Sequence, residues 1–304
     1  MNLYSDLTYA TVPIRAMPPK AKFAKQSLGT AKAKLSQQPS EEPESNQKLP
    51  NWPQLNPLSP PEDLAFDTLL SDQILTISSF WTSTLCKNYV NFLKTLPLTT
   101  TPGKPKRGEA VRVNDRFQVQ DEGFAEKLWA ETGLREMVLK PVVDGTELSE
   151  AATKKLWGGE VLGLNANIRV YRYSKGQFFD QHCMQHPYSI ANLPCSSITK
   201  SYLDDDSNNV TFHSPNTSSP VPAKTTWTLL LYLSSPATGC EGGQTVFYPD
   251  PPSKRDAAPS PVVAELEVGM LLLHRHGKDC LLHEGREVTA GEKWVVRSDL
   301  CVRR

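Results

Sequence analysis

Residues 281–299 read LLHEGREVTAGEKWVVRSD. A histidine follows an apolar pair, a turn with glycine follows the histidine, and Lys293 comes ten positions after His283 in an apolar run. Short apolar runs bounded by such turns read as strands. A lysine within one is either an edge residue or an inward cation, and an inward cation needs an anionic partner. Arg297, four past Lys293, shares its strand face by the period of two.

Working upstream, the same strand-like patterning recurs. GMLLLH (269–274), VVAELEV (262–268), QTVFYP (244–249), TTWTLLLYLSS (225–235), FFDQH (178–182) and ANIRVYRYS (166–174) alternate or run apolar over strand lengths. Further upstream the period becomes helical. SSFWTSTLCKNYVNFLKTL (78–96) puts Trp81, Leu85, Tyr89, Phe92, Leu93 and Leu96 on one face, with Ser79 as the expected N-cap. DEGFAEKLWAETGL (121–134) reads as a second helix ending near Gly133. Helices first and then many short strands predict an α+β domain with a jelly-roll second half. Residues 1–60, rich in Pro, Lys, Ser and Gln, carry too little apolar periodicity to offset their ordering entropy and read as disordered. The folded domain is expected over 61–304, with helical support over 61–160 and the jelly-roll core over 161–304.

The bulk numbers narrow the function. Lys plus Arg and Asp plus Glu are both 33, so the net charge is zero, which argues against a nucleic-acid partner. No apolar run approaches the ~20 residues of a membrane span, so no membrane partner is expected. The first twenty residues lack the apolar core of a secretory signal. A reducing, cytoplasmic or nuclear setting follows as an expectation, and the six cysteines, without a CxxC, are expected to be free thiols.

The order and spacing of NIRVYRYSKGQFFDQH, WTLLLYLS, EGGQTVFYP, VGMLLLH and LLHEGREVTAGEKWVVRSD resemble the prolyl 4-hydroxylase-like branch of the Fe(II)- and 2-oxoglutarate-dependent dioxygenases, over about 167–299. The resemblance implies a double-stranded β-helix, Fe(II), 2-oxoglutarate as co-substrate and L-ascorbate. It implies hydroxylation of a protein or peptide side chain, with prolyl as one option and a small-molecule substrate as another, and release of succinate and CO2. By resemblance His182 and His283 are metal ligands, Lys293 pairs with the distal carboxylate of 2-oxoglutarate and Tyr173 hydrogen-bonds it. Arg297 either helps hold that acid or forms a surface pair. No catalytic residue separate from the metal ligands is implied.

One position departs from the pattern. The family motif is His-x-Asp, and here it is His182-Cys183-Met184. A thioether is a poor ligand for an oxygen-seeking ion. The next acids are Asp204, Asp205 and Asp206, beyond a block (183–203) with neither strand nor helix period. Its ends can be encoded with splice-like GT and AG signals, and joining across them gives His-Tyr-Asp205. Two readings stay open: a translated intron and a true loop insertion. On the spliced reading Asp205 is the expected third metal ligand; with a true loop it could still return to the metal, and Asp204 and Asp206 stay open. The competing function is a jelly-roll binding module, or an inactive isoform, whose metal site the insertion has impaired. TPGKPKRGEAVRVNDRF (101–117), with Lys104, Lys106, Arg107, Arg112 and Arg116, is either a lid over an acidic or peptide substrate or a solvated loop leading into a strand.

Overall fold

The computed structural model describes residues 48–101, 110–183, 208–213, 219–251, 253 and 255–304. From Asn167 onward, strands alternate between two antiparallel sheets. Asn167–Ser174 belongs to the larger sheet and Phe178–His182 to the smaller. Val221–Tyr232 returns to the larger, and Thr245–Tyr248 and Val262–Ala264 lie in the smaller. Leu271–Arg275, Leu282–Gly285 and Glu292–Arg303 complete the alternation: larger, smaller, larger. Within the larger sheet these strands stand in the order 271–275, 221–232, 292–303, 167–174, and within the smaller 262–264, 245–248, 282–285, 178–182. That order is a double-stranded β-helix, the jelly roll expected from the sequence.

Four helices, Ser83–Leu93, Glu122–Ala130, Leu134–Leu139 and Glu150–Trp157, precede the jelly roll. Their apolar residues share one core with Trp227, Leu229, Leu231, Trp294 and Val296 of the larger sheet. Burying a large apolar side chain in this way contributes about 1.5–3 kcal/mol each. The indoles of Trp157 and Trp227 are wholly buried. Each still satisfies its N–H, on the carbonyls of Val138 (2.8 Å) and Leu156 (3.0 Å).

Several local expectations change. The first helix is capped by Thr82, whose Oγ1 accepts from Leu85 N at 3.2 Å, not by Ser79, which has φ of +50°. Gly133 does not end the second helical region; it is the N-cap of Leu134–Leu139. The 61–160 region is not purely helical, because Asp67–Leu70, Ile74–Ile77 and Asp115–Gln120 extend the larger sheet and Arg112–Val113 pairs with Phe178–Phe179 in the smaller. Cys183 is disulfide-bonded, which corrects the reading of all six cysteines as free. Cys86, Cys240 and Cys301 are free and buried, and Cys280 is buried. Among the described residues no helix is long and apolar enough to cross a membrane.

The boundary at residue 60 also moves. Trp52 stacks on Phe124 with ring centroids 3.9 Å apart, and its indole N–H donates to Asp121 at 2.8 Å. Leu55 is buried, and Tyr89 Oη donates to the Pro53 carbonyl at 2.7 Å. The packed chain therefore begins before residue 53. A protein starting at residue 61 is expected to unfold at lower denaturant than one starting at residue 48. Trp52→Ala alone should cost about 2–3 kcal/mol, the low end for a large aromatic because the ring is only partly buried. Equal urea midpoints would return the boundary to 60.

Candidate functional site

His182 and His283 face each other in register on neighbouring antiparallel strands. Between the register pairs Phe179–Gly285 and His182–His283, one strand advances three residues and the other two. That one-residue bulge breaks the strict alternation of faces. It brings Phe179 and His182 to the same side, and their rings stack at 3.5 Å. The two imidazole centroids are 4.3 Å apart, and both residues are only 4% exposed.

Each ring is held by the carbonyl two residues back in its own segment of chain. His182 Nδ1 lies 2.8 Å from Asp180 O, and His283 Nδ1 lies 2.8 Å from Leu281 O. A carbonyl only accepts, so each Nδ1 carries the proton and each Nε2 keeps its lone pair. Among the described residues no hydrogen bond engages either Nε2. Burial first, and then the neighbouring ring, hold His182 well below the usual imidazole range. Burial brings His283 down to about 4. Both rings are therefore neutral at physiological pH, the form that donates to a metal.

The rings open into a cavity between the two sheets, enclosing about 520 Å³ with its mouth. Lys293, Tyr173 and Arg297 line it too, so the structure brings five of the six sequence-predicted site residues together. Asp205 lies outside the described residues, as do Lys104, Lys106 and Arg107. Among the described residues no set of three His, Cys, Asp or Glu could hold a metal ion. The two imidazoles are a donor pair of the kind a facial iron site would use, and a third donor would have to come from outside the described residues.

Lys293 is buried, and its Nζ donates to the Gly243 carbonyl at 2.6 Å. It lies 5.6 Å from the Tyr173 ring centroid and 5.2 Å from that of Tyr232. Gly243 has φ of +72°, and a Cβ there would come within 3.2 Å of the lysine chain, which explains the GG of EGGQT. Arg297 points to another wall. Its Nη2 donates to Asp299 Oδ1 at 3.0 Å and to Thr228 Oγ1 at 3.3 Å. Asp299 also takes Arg169 at 3.1 Å.

Three cavity residues were not legible as such. Arg112 comes from the candidate lid segment but sits in a strand, opposite Phe179. Tyr171 shares the strand face of Tyr173, a period-two signal that could have found it. Burial alone would raise its phenol, but Arg112, Arg297 and Arg169 outweigh burial and bring it down to about 7. His274, expected only to pack, stands in the cavity wall with its ring centroid 4.9 Å from that of His283. His276 stays out of the cavity, with Nδ1 on Thr228 Oγ1 (3.0 Å) and Nε2 on Thr225 Oγ1 (2.9 Å).

No protein-family model matches the chain, and no curated protein matches it. Solved structures with similar arrangements of strands include a viral collagen prolyl hydroxylase from Paramecium Bursaria Chlorella virus-1 in a 2OG complex. It is 15% identical, with 76% of this chain and 96% of that one covered and a TM-score of 0.41. A Pseudomonas putida prolyl-4-hydroxylase is 12% identical over 77% of this chain and 94% of its own, with a TM-score of 0.44. HygX from Streptomyces hygroscopicus, with nickel and 2-oxoglutarate bound, is 14% identical over 76% and 83%, with a TM-score of 0.42.

Two titrations test this electrostatic picture. Burial brings the Lys293 ammonium down from 10.5 to about 8. Between those pH values the unfolded chain holds the proton that the folded chain has released, so stability rises with pH across that window. Below pH 8 the full cost is present, on the order of a few kcal/mol. Lys293→Met should therefore raise the urea midpoint of the ligand-free protein at pH 7 and flatten its rise between pH 8 and 10.5. A lower midpoint at pH 7 would mean the cation is compensated in the fold. Separately, the ultraviolet signal of one phenolate should appear near neutral pH and vanish in Tyr171→Phe.

Proposed function

We propose that the protein is an Fe(II)- and 2-oxoglutarate-dependent dioxygenase. The observation that carries the reading is the pair of neutral imidazoles, each fixed by the carbonyl two residues back, presenting two unprotonated Nε2 atoms to a cavity whose far end holds a buried lysine. His182 and His283 would hold the metal, with Asp205 as the proposed third ligand. A ferrous ion there would supply the redox chemistry by which dioxygen oxidises 2-oxoglutarate to succinate and CO2 and hydroxylates a substrate C–H bond, one oxygen atom going to succinate and the other to the substrate.

The chain's own residues do the positioning. Lys293 Nζ, held between the Gly243 carbonyl and two tyrosine rings, is aimed before any ligand arrives, and it receives the distal carboxylate of the co-substrate. Tyr173 Oη, on the same wall, is the hydrogen-bond donor to that carboxylate. Phe179, stacked on His182, keeps the imidazole from rotating and excludes water from that flank. The proposed substrate is a protein or peptide side chain, or a small molecule entering by the same mouth.

A second reading, a metal-impaired jelly-roll binding module, is favoured by one observation: Met184 stands where the resembled family has its carboxylate. Succinate formation from 2-oxoglutarate with added Fe(II) separates the two. His283→Ala is expected to abolish Fe(II) binding and turnover, and Lys293→Ala to weaken 2-oxoglutarate by about 3–5 kcal/mol while leaving metal affinity nearly intact. Replacing residues 183–204 with one tyrosine, which restores His-Tyr-Asp, should raise both Fe(II) affinity and turnover. Asp205→Ala in that shortened chain should remove them. If neither chain forms succinate, the binding-module reading stands.

A further inference from the structure

Three cations line the cavity, Lys293, Arg297 and Arg112, against a single carboxylate among its described lining residues, Glu284. Glu284 is engaged outside the cation cluster. Its Oε1 accepts from Tyr248 Oη at 2.7 Å and lies 3.7 Å from Arg286 Nε. Lys293 is matched by the distal carboxylate of the co-substrate under the dioxygenase reading. Arg297 is matched by Asp299 at 3.0 Å.

Arg112 has no carboxylate partner among the described residues. Its Nε donates to the neutral Asn114 side chain at 3.1 Å. Its guanidinium lies 4.5 Å from the Tyr171 ring centroid and 4.8 Å from that of Phe179. The Phe179 ring in turn stacks on His182, so the guanidinium, which also hydrogen-bonds the Tyr171 and Tyr173 hydroxyls, stands one ring away from the paired imidazoles. A dicarboxylic co-substrate spends one carboxylate on Lys293 and the other, with its 2-oxo group, at the metal. Neither is left for Arg112. A guanidinium whose described partners are one amide and two tyrosine hydroxyls keeps capacity for an oxyanion, and its planar fork suits one bidentately. The depressed Tyr171 phenol independently reports the positive potential of this wall.

We infer, resting on the dioxygenase reading above, that Arg112 and Tyr171, flanked by Arg297, form a second anion subsite that takes an oxyanion of the substrate, a carboxylate or a phosphate close to the carbon that reacts. The substrate is then an acid, recognised by the guanidinium of Arg112 rather than by the ammonium of Lys293. Arg112 is the specificity residue of that wall, and Tyr171 supplies a hydroxyl beside it.

The test uses the full chain loaded with Ni(II) in place of Fe(II) and saturated with 2-oxoglutarate. Binding of N-acetylglycine, N-acetyl-O-phosphoethanolamine and the neutral N-acetylglycinamide is then compared by calorimetry. At least one of the acids is expected to bind about tenfold tighter than the amide. Which acid wins separates carboxylate from phosphate. Arg112→Met should bring that acid to the level of the amide while leaving 2-oxoglutarate binding within about twofold. Lys293→Met should do the reverse. If circular dichroism shows that Arg112→Met fails to fold, Arg112→Lys, which keeps the charge and loses the fork, is expected to lose most of the preference. The inference is overturned if the unmodified protein, with 2-oxoglutarate bound, does not prefer either acid to the amide. It is also overturned if the arginine variant weakens 2-oxoglutarate as much as the lysine variant. Failure of the unmodified protein to bind 2-oxoglutarate at all would sink the dioxygenase reading first, and the subsite with it.

Discussion

The site depends on two short hydrogen bonds, each from an imidazole to the backbone of its own segment of chain. His182 and His283 both place Nδ1 2.8 Å from the carbonyl two residues earlier. This fixes the tautomer and the direction of the remaining lone pair through backbone acceptors, and Phe179, stacked on His182, adds a second hold on that ring. The bulge between Phe179 and His182 serves the same end. Without it the stacked phenylalanine would face the opposite side of the smaller sheet, and the imidazole would lose its flanking wall.

The larger sheet keeps helices and chemistry apart. Its outer face is covered by the four N-terminal helices, and its inner face meets the smaller sheet around Tyr171, Tyr173, Tyr232, Phe247 and Val295. The polar groups sunk into this apolar inner core are satisfied in a chain. Asp299 joins Arg169, Arg297 and Thr228, and Thr228 passes on to His276. Desolvation would raise the Asp299 carboxyl, but the two guanidiniums win and hold it well below the usual range. The network costs desolvation, and what it contributes is a fixed direction for Arg297.

Much of this was legible in the sequence. The strand periods, the apolar pair before His283 and the ten-residue step to Lys293 all correspond to local geometry, which a local pattern can encode. What was not legible required tertiary pairing. Arg112 looked like part of a loop because its strand is two residues long and is defined by Phe178 and Phe179, over sixty positions away. His274 ends an apolar run that could equally have faced the helices. Trp52 sat in a proline-rich stretch whose composition argued for disorder, and only its stacking on Phe124 reveals that it is part of the core. At position 184 the sequence holds a methionine, a thioether where the proposed iron site would take an oxygen donor.

The strand Glu292–Arg303 has a consequence for how this protein can change. Trp294 and Val296 are sealed into the helix-backed core, while Lys293, Val295 and Arg297 line the cavity. Only odd or even position separates the two sets. Point substitutions can retune the cavity one wall at a time, since each odd residue can vary without touching the core beneath. A gain or loss of one residue before Lys293 is another matter: it exchanges the two faces wholesale, driving a lysine and an arginine among tryptophans and exposing an indole to the ligand. The lineage of such a protein should therefore tolerate diversification of its chemistry by substitution yet hold the length of this segment constant, and insertions should collect only at the ends of strands.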